Sequence, residues 1–395
     1  MTHQMTSNDF EGLQTPFYLF DEGVLAERIG ALRDGLPEGT KVCYAMKANS
    51  FVLAAASRAA DLIEVCSPGE FATCEALGIP YEKLVISGVY KDPEWTRELI
   101  ASGAPVHRIT AESPAQFALI EQAARQAGGD VPVLLRLTSG NQFGMDLEDL
   151  LDIVAHKDAY PHVQICGVQY FSGTQKRLKR VCRELEHLDS ILARLGEMMG
   201  EDPLELEYGT GMPVEYCEPD ESVTSQADRE FLQGLSGALS SMKFAGPKIL
   251  EFGRAIAASC GTYVTRVVDT KCNKGNNYAI VDGGKHQLVF YGQSLALRPP
   301  VARFVPERQG EQQHAWTICG ALCTVGDVLV SQAELTELCV GDCVVFPNAG
   351  AYSMAEGMSL FLSRDLPRVY LRDVSGAIRL VRDRIETSPL NTPAE

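Results

Sequence analysis

A lysine at the end of a short apolar run is the residue of this chain best suited to attack a carbonyl: Lys47, in Val42–Cys43–Tyr44–Ala45–Met46–Lys47–Ala48–Asn49–Ser50. Partly withdrawn from water, an amine loses its proton more readily, and the free amine is the nucleophile that forms imines. Alone, such a lysine is most often a solvated surface residue. Three other clusters change that reading. Glu207–Tyr208–Gly209–Thr210–Gly211–Met212–Pro213 follows an apolar run, and its glycines let backbone N–H groups approach a phosphate. Gly173–Thr174–Gln175 offers a hydroxyl and N–H groups at a helix start, and Glu251–Phe252–Gly253–Arg254 sets an acid and an arginine close together. Together they suit one anionic ligand with a reactive carbonyl.

Those clusters need a scaffold that brings strand ends together. From Thr15 to about Leu250 short apolar runs alternate with amphipathic ones. Strands are expected at 42–45, 62–65, 84–87, 108–110, 133–137, 165–170, 204–208 and 248–251. Helices are expected at 68–77, 93–101, 114–127 and 176–199. Ser67–Pro68 and Ser113–Pro114 read as helix starts, with an N-cap serine and proline in the first turn. About eight β–α alternations point to an α/β fold, a (β/α)8 TIM barrel, whose site lies at the C-terminal strand ends. After Gly261 the runs are strand-like and separated by turns, which suggests a β-sandwich or β-barrel domain of about a hundred residues. The expected division is a barrel over 16–252 and a C-terminal β domain over 253–395, with residues 1–15 packed on the latter and the tail from Glu386 loose.

Composition narrows the function. The chain has 395 residues, 45% hydrophobic and 22% charged, and a net charge of −17, which disfavours nucleic-acid binding. The densest basic cluster, Lys176–Arg177–Leu178–Lys179–Arg180, reads as a solvated helix face, or as a docking site for an acidic partner. No apolar run reaches the ~20 residues of a membrane span, and the first ten residues lack a secretory core. The 12 cysteines show no CxxC or Cys/His spacing, so no metal is expected and a reducing cytoplasm is the expected setting.

Five ordered motifs carry a resemblance over nearly the whole chain. Tyr44-Ala-Met-Lys-Ala-Asn49 resembles the YAxKAN motif of the fold-type III pyridoxal-phosphate decarboxylases, the diaminopimelate, ornithine and arginine decarboxylases. Gly209-Thr-Gly211 is similar to their glycine-rich phosphate loop, and Glu251-Phe-Gly-Arg254 to their EPGR motif, with phenylalanine for proline. Cys323-Thr-Val-Gly-Asp327 resembles their CxxxD motif and Gly350-Ala-Tyr352 their GAY motif. The resemblance implies the alanine-racemase-like fold, pyridoxal 5'-phosphate as cofactor, and decarboxylation through a carbanion that the cofactor delocalises. It makes Lys47 the imine lysine and Glu251 the partner of the pyridine nitrogen. Phosphate contacts fall to Gly209, Thr210, Gly211, Gly253, Arg254, Thr174 and Tyr352. Cys323 becomes the general acid that returns a proton to the α-carbon, supplied with Asp327 by the second subunit of a homodimer.

Departures from the pattern bear on the substrate. Phe171 stands where these enzymes stack a histidine on the cofactor; phenyl can stack but cannot carry charge. Thr324 replaces the acid that follows the motif cysteine and binds a substrate's distal end, and Asp282–Leu288 holds no counterpart of the arginine that reads a distal carboxylate. With Thr324, Asp327 and Tyr352 as substrate contacts, the resemblance is to a branch that decarboxylates substituted or carrier-protein-bound amino acids in secondary-metabolite or siderophore pathways. Alternatives are a diaminopimelate or ornithine/lysine-type decarboxylase of primary metabolism, an amino-acid racemase, and a relative that has lost catalysis.

Overall fold

A computed structural model describes residues 12–200, 204–217, 222–289, 300–310 and 312–394. They form two compact units, one of Arg28–Pro213 and Thr224–Ile256, the other of Met1–Glu27, Val214–Val223 and Ala257–Glu395. The first strand, β1 (Phe17–Asp21), lies in the second unit, where the sequence reading has the barrel begin at 16. Its buried run reads equally well as a strand of either unit, and periodicity alone does not separate them. Of the N-terminal residues, 1–11 lie outside the described ones, while Thr15 Oγ1 donates to Asp282 Oδ2 at 2.6 Å within the second unit.

The first unit is a closed barrel of eight parallel strands. In order these are β2 (Lys41–Ala45), β3 (Leu62–Val65), β4 (Leu84–Ile86), β5 (Arg108–Ala111), β6 (Val131–Arg136), β7 (Val163–Phe171), β8 (Glu205–Gly209) and β9 (Lys248–Phe252), with β9 paired back to β2. Strands covered on both faces are nearly continuously apolar, which made them legible. Capping fixes where the returning helices start. The side chains of Ser67, Asp92 and Ser113 accept from Glu70, Trp95 and Gln116 N–H, each ahead of a proline. Helix Leu178–Met199 buries Val181, Leu185, Leu188, Ile191, Leu192, Leu195 and Met199, one apolar stripe. It starts two residues after Lys176, which is buried, while Arg177, Lys179 and Arg180 are exposed.

A bulge in β7 aims the site. The β6–β7 register shifts so that Leu134 faces Gly167, and a Cβ at Gly167 would sit 2.0 Å from Glu205 O. Beyond the bulge Arg136, Gln169 and Glu207 are neighbours across β6, β7 and β8, and Phe171, Gly209 and Glu251 across β7, β8 and β9. At the other end of the barrel Arg108 of β5 reaches Glu205 of β8, Nε–Oε1 2.6 Å and Nη2–Oε2 3.0 Å. Those strands are not adjacent, so this ion pair spans the interior. Glu205 is buried and the Arg108 side chain is 22% exposed, so Glu205→Ala leaves a partly buried charge and is expected to destabilise the protein by about 2 kcal/mol in denaturant unfolding. A loss under about 1 kcal/mol would show that Arg108 is solvated instead.

The second unit is a mixed nine-stranded sheet. It adds β10 (Gly261–Asn273), β11 (Asn276–Val281), β12 (Arg303–Val305), β13 (His314–Cys319), β14 (Val328–Leu335), β15 (Cys343–Phe346), β16 (Arg368–Arg372) and β17 (Ile378–Arg382) to β1. Long β10 is the hub: its first half pairs with β1 and β15, its second with β11. Phe17, Leu19, Val264, Cys343, Val345 and Tyr370 form a core on it. The tail from Glu386 is tied down: Thr387 is fully buried, donates to Arg364 O at 3.0 Å and precedes a turn at Ser388–Asn391.

Candidate active site

Lys47 leaves β2 in a single helical turn, Met46–Ala48, and Tyr44 Oη donates to Asn49 O at 2.8 Å to hold that turn. Its Nζ lies 2.7 Å from Glu64 Oε2, at the end of β3, and 3.5 Å from Cys66 Sγ. Glu64 is 4% exposed. Burial by itself would raise its pKa, but the Lys47 ammonium, the Cys66 hydrogen bond and Arg136 hold it below the usual carboxylate range. Glu64 is thus the counterion of Lys47 whenever that nitrogen is an ammonium.

At the end of β9, Glu251 is buried and accepts from Gln169 Nε2 at 2.8 Å. Glu207 is fully buried. Burial and then the neighbouring Glu251 charge push Glu207 well up. Glu251 is raised as well, by burial and then by Glu64, while Glu207, Lys47 and Gln169 favour its ionised form. Two carboxyls so placed titrate as a pair, and burial favours their holding a proton between them. Gln169 orients the Glu251 carboxyl at the barrel mouth.

The glycines of the β8 loop are required by close approach. A Cβ at Gly209 would meet the Phe171 ring at 2.4 Å; at Gly211 (φ +57°) it would meet Gly173 O at 2.3 Å and Lys176 Cε at 2.6 Å. Thr210 is buried, and its N–H and hydroxyl both reach Glu251 O, at 3.4 and 3.3 Å, so it pins β8 to β9. Thr174 is exposed in the loop after β7, and buried Arg254 opens the short helix Arg254–Ala257 just after Gly253.

A second cluster at the mouth escaped sequence reasoning. Arg136 Nη1 donates to Glu112 Oε1 at 2.5 Å, Gly144 N–H to Glu112 Oε2 at 3.1 Å, and the Arg136 guanidinium lies 4.7 Å from the Phe143 ring centroid. Buried Lys91 donates to Ser87 O and Gly88 O, both at 3.1 Å, and burial lowers its pKa to about 8. The available signal was glycine. Gly88 (φ +97°) and Gly144 (φ +74°) follow strands β4 and β6 where a Cβ would strike backbone at 2.3 and 2.7 Å.

The barrel therefore brings together Lys47, Phe171, Thr174, Gly209, Thr210, Gly211, Glu251, Gly253 and Arg254, whereas Cys323, Thr324, Asp327 and Tyr352 belong to the sheet unit. There Cys323 is exposed on the turn before β14. Asp327, expected at the substrate, is 3% exposed, and its carboxylate accepts from Leu322 and Lys285 N–H, both at 2.8 Å, so it shapes the Cys323 loop. Tyr352 has a left-handed backbone, φ +63°.

The barrel residues fit pyridoxal phosphate: a lysine on one strand end, a carboxylate with its own hydrogen-bond donor on the neighbouring one, and a glycine cradle that any Cβ would fill. The family described as "Pyridoxal-dependent decarboxylase, C-terminal sheet domain" matches residues 17–350. The L-glutamyl-[BtrI acyl-carrier protein] decarboxylase of Niallia circulans is 27% identical, over 93% of this chain and 91% of its own. A diaminopimelate decarboxylase of Actinosynnema pretiosum subsp. auranticum is 28% identical, over 94% and 87%. The fold matches that of the Helicobacter pylori diaminopimelate decarboxylase complexed with L-lysine, with a TM-score of 0.82 and 23% identity over 96% of this chain and 97% of that one. The chain belongs to the pyridoxal-dependent decarboxylase family, as a carboxy-lyase that uses pyridoxal phosphate.

Proposed function

We propose that this enzyme removes the α-carboxylate of an amino acid whose side chain bears a large substituent or a carrier protein, in a biosynthetic pathway. The observation that carries the decarboxylase chemistry is the placement of Lys47 and the Gln169-anchored Glu251 in one barrel mouth. Bound pyridoxal phosphate supplies the sink for the electron pair left when CO₂ departs. Lys47 would hold the cofactor covalently. Glu251, oriented by the Gln169 amide, would keep a proton on the ring nitrogen. Phe171 would stack on the ring, held there by Gly209, and the Gly209–Gly211 and Gly253–Arg254 segments would face its phosphate.

Thr324 supports the substrate reading, because a neutral residue removes the charge that would select a small diamino acid. So does a relative whose name gives a glutamyl-carrier substrate. The test is CO₂ release from L-glutamyl carrier protein and from N-substituted diamino acids, beside free diaminopimelate, ornithine and lysine. Faster turnover of the free diamino acids would overturn the substrate class; racemised product without CO₂ would overturn the chemistry.

Cys323, exposed on its own chain, is suited to act as general acid in the partner site of a homodimer. Cys323→Ala is expected to keep the cofactor and slow turnover by roughly 10²-fold. Mixing Lys47→Ala and Cys323→Ala subunits should restore activity that neither variant has alone; no restoration would mean that Cys323 acts within its own chain.

A further inference from the structure

Lys176 ties together two loops that sequence reasoning treated separately. Its side chain is 1% exposed. Its Nζ has four acceptors in reach: Glu184 Oε2 at 2.8 Å, Gly209 O at 2.8 Å, Tyr208 Oη at 3.1 Å and Ser172 Oγ at 3.3 Å. Its backbone N–H donates to Gly211 O at 2.8 Å. One residue therefore holds Ser172 at the end of β7 and both glycines of the β8 loop.

The anchor beneath it is rigid. Glu184 accepts from Ser172 Oγ at 2.5 Å, Tyr208 Oη at 2.7 Å and Arg180 Nε at 2.8 Å as well as from Lys176. Burial would raise its pKa, but these donors and the Lys176 charge hold it below the usual range, so it stays ionised. Lys176 also lies 4.6 Å from the Tyr208 ring centroid, and that ring stacks on Tyr170. The Lys176 ammonium, paired with Glu184, lies just behind the Gly209 carbonyl, and half-exposed Arg180 adds a second cation at Ser172 O. A staple for loop packing alone needs no charge there, since apolar residues of similar volume fill such a position at little cost.

We propose that Lys176 is a positioning residue that makes the loops after β7 and β8 one cup for a phosphate monoester dianion, the phosphate of the cofactor. This rests on the reading of the barrel mouth as the pyridoxal-phosphate site. Lys176 acts from behind: it fixes the carbonyls of Gly209 and Gly211, so that the loop N–H groups face the ligand, and its charge offsets part of the dianion's.

The test compares pyridoxal phosphate with pyridoxal, which lacks the phosphate, for binding to apoenzyme followed by cofactor absorbance and fluorescence. Lys176→Met is expected to weaken pyridoxal phosphate by about tenfold or more, the size of one lost charge-assisted contact, and to leave pyridoxal unchanged. Because Glu184 is then buried without its partner, the paired variant Lys176→Met/Glu184→Leu keeps the test sound if the single variant does not fold; it keeps the network's net charge but removes the loop anchor, so a selective loss of pyridoxal phosphate is expected of it too. Equal weakening of both ligands, or of neither, overturns the proposal and leaves Lys176 a packing staple. Wild-type apoenzyme that binds pyridoxal phosphate no better than pyridoxal would instead overturn the site reading beneath it.

Discussion

Lys47→Ala is expected to abolish decarboxylation, by on the order of 10⁴-fold or more, if Lys47 is the proposed attachment point, because no other group at the mouth can take over that role without moving. The rival amine is Lys91. Burial lowers its pKa to about 8, so it holds more free amine near neutrality than an ordinary lysine. Geometry decides against it: Lys91 Nζ is turned onto the carbonyls of Ser87 and Gly88. Lys47 has a side chain 41% exposed, and the Glu64 carboxylate is its counterion. The variant should therefore lose the absorbance of covalently held cofactor while keeping its fold by circular dichroism. Retained turnover within tenfold of wild type would transfer the role to another lysine.

Glu251→Gln is the second large effect. The amide keeps the volume and one acceptor but removes the carboxylate proposed to hold a proton on the ring nitrogen. Turnover should fall by roughly 10²–10³-fold, the size of losing one preorganised electrostatic group in a buried site. Cofactor affinity should change far less, because the phosphate loops are untouched. A kcat within about threefold of wild type would mean that the ring nitrogen is protonated without help from β9, and the Glu207–Glu251 pairing would then lose its purpose in catalysis.

Much of this architecture was legible because the barrel strands are buried on both faces. Runs such as Leu62–Val65 and Lys248–Phe252 stand out, and Ser-Pro and Asp-Pro pairs mark the helices between them. The elements that escaped lack such signals. β12 has three residues, β17 buries no residue fully, and β14 mixes buried Leu329 and Val330 with polar residues. In the site, Lys47, Glu251 and the glycine loop could be found because each ends an apolar run. Glu207, Gln169, Arg136, Glu112 and Lys91 could not. Inside a strand a polar residue shows its purpose only through its partner, and those partners lie on strands far off in sequence. Lys176 misled for the opposite reason: beside Arg177 and Lys179 it resembles one more solvated cation, and only the fold turns it inward under Gly209.

The most direct measurement is reductive trapping. The holoenzyme is treated with borohydride, digested and mapped by mass spectrometry for the pyridoxyl-phosphate adduct. The adduct is expected on Lys47 alone, and its loss in Lys47→Ala. An adduct on Lys91 or Lys176, or none on any lysine, would contradict the assignment of this barrel mouth as a site built around Lys47 and Glu251.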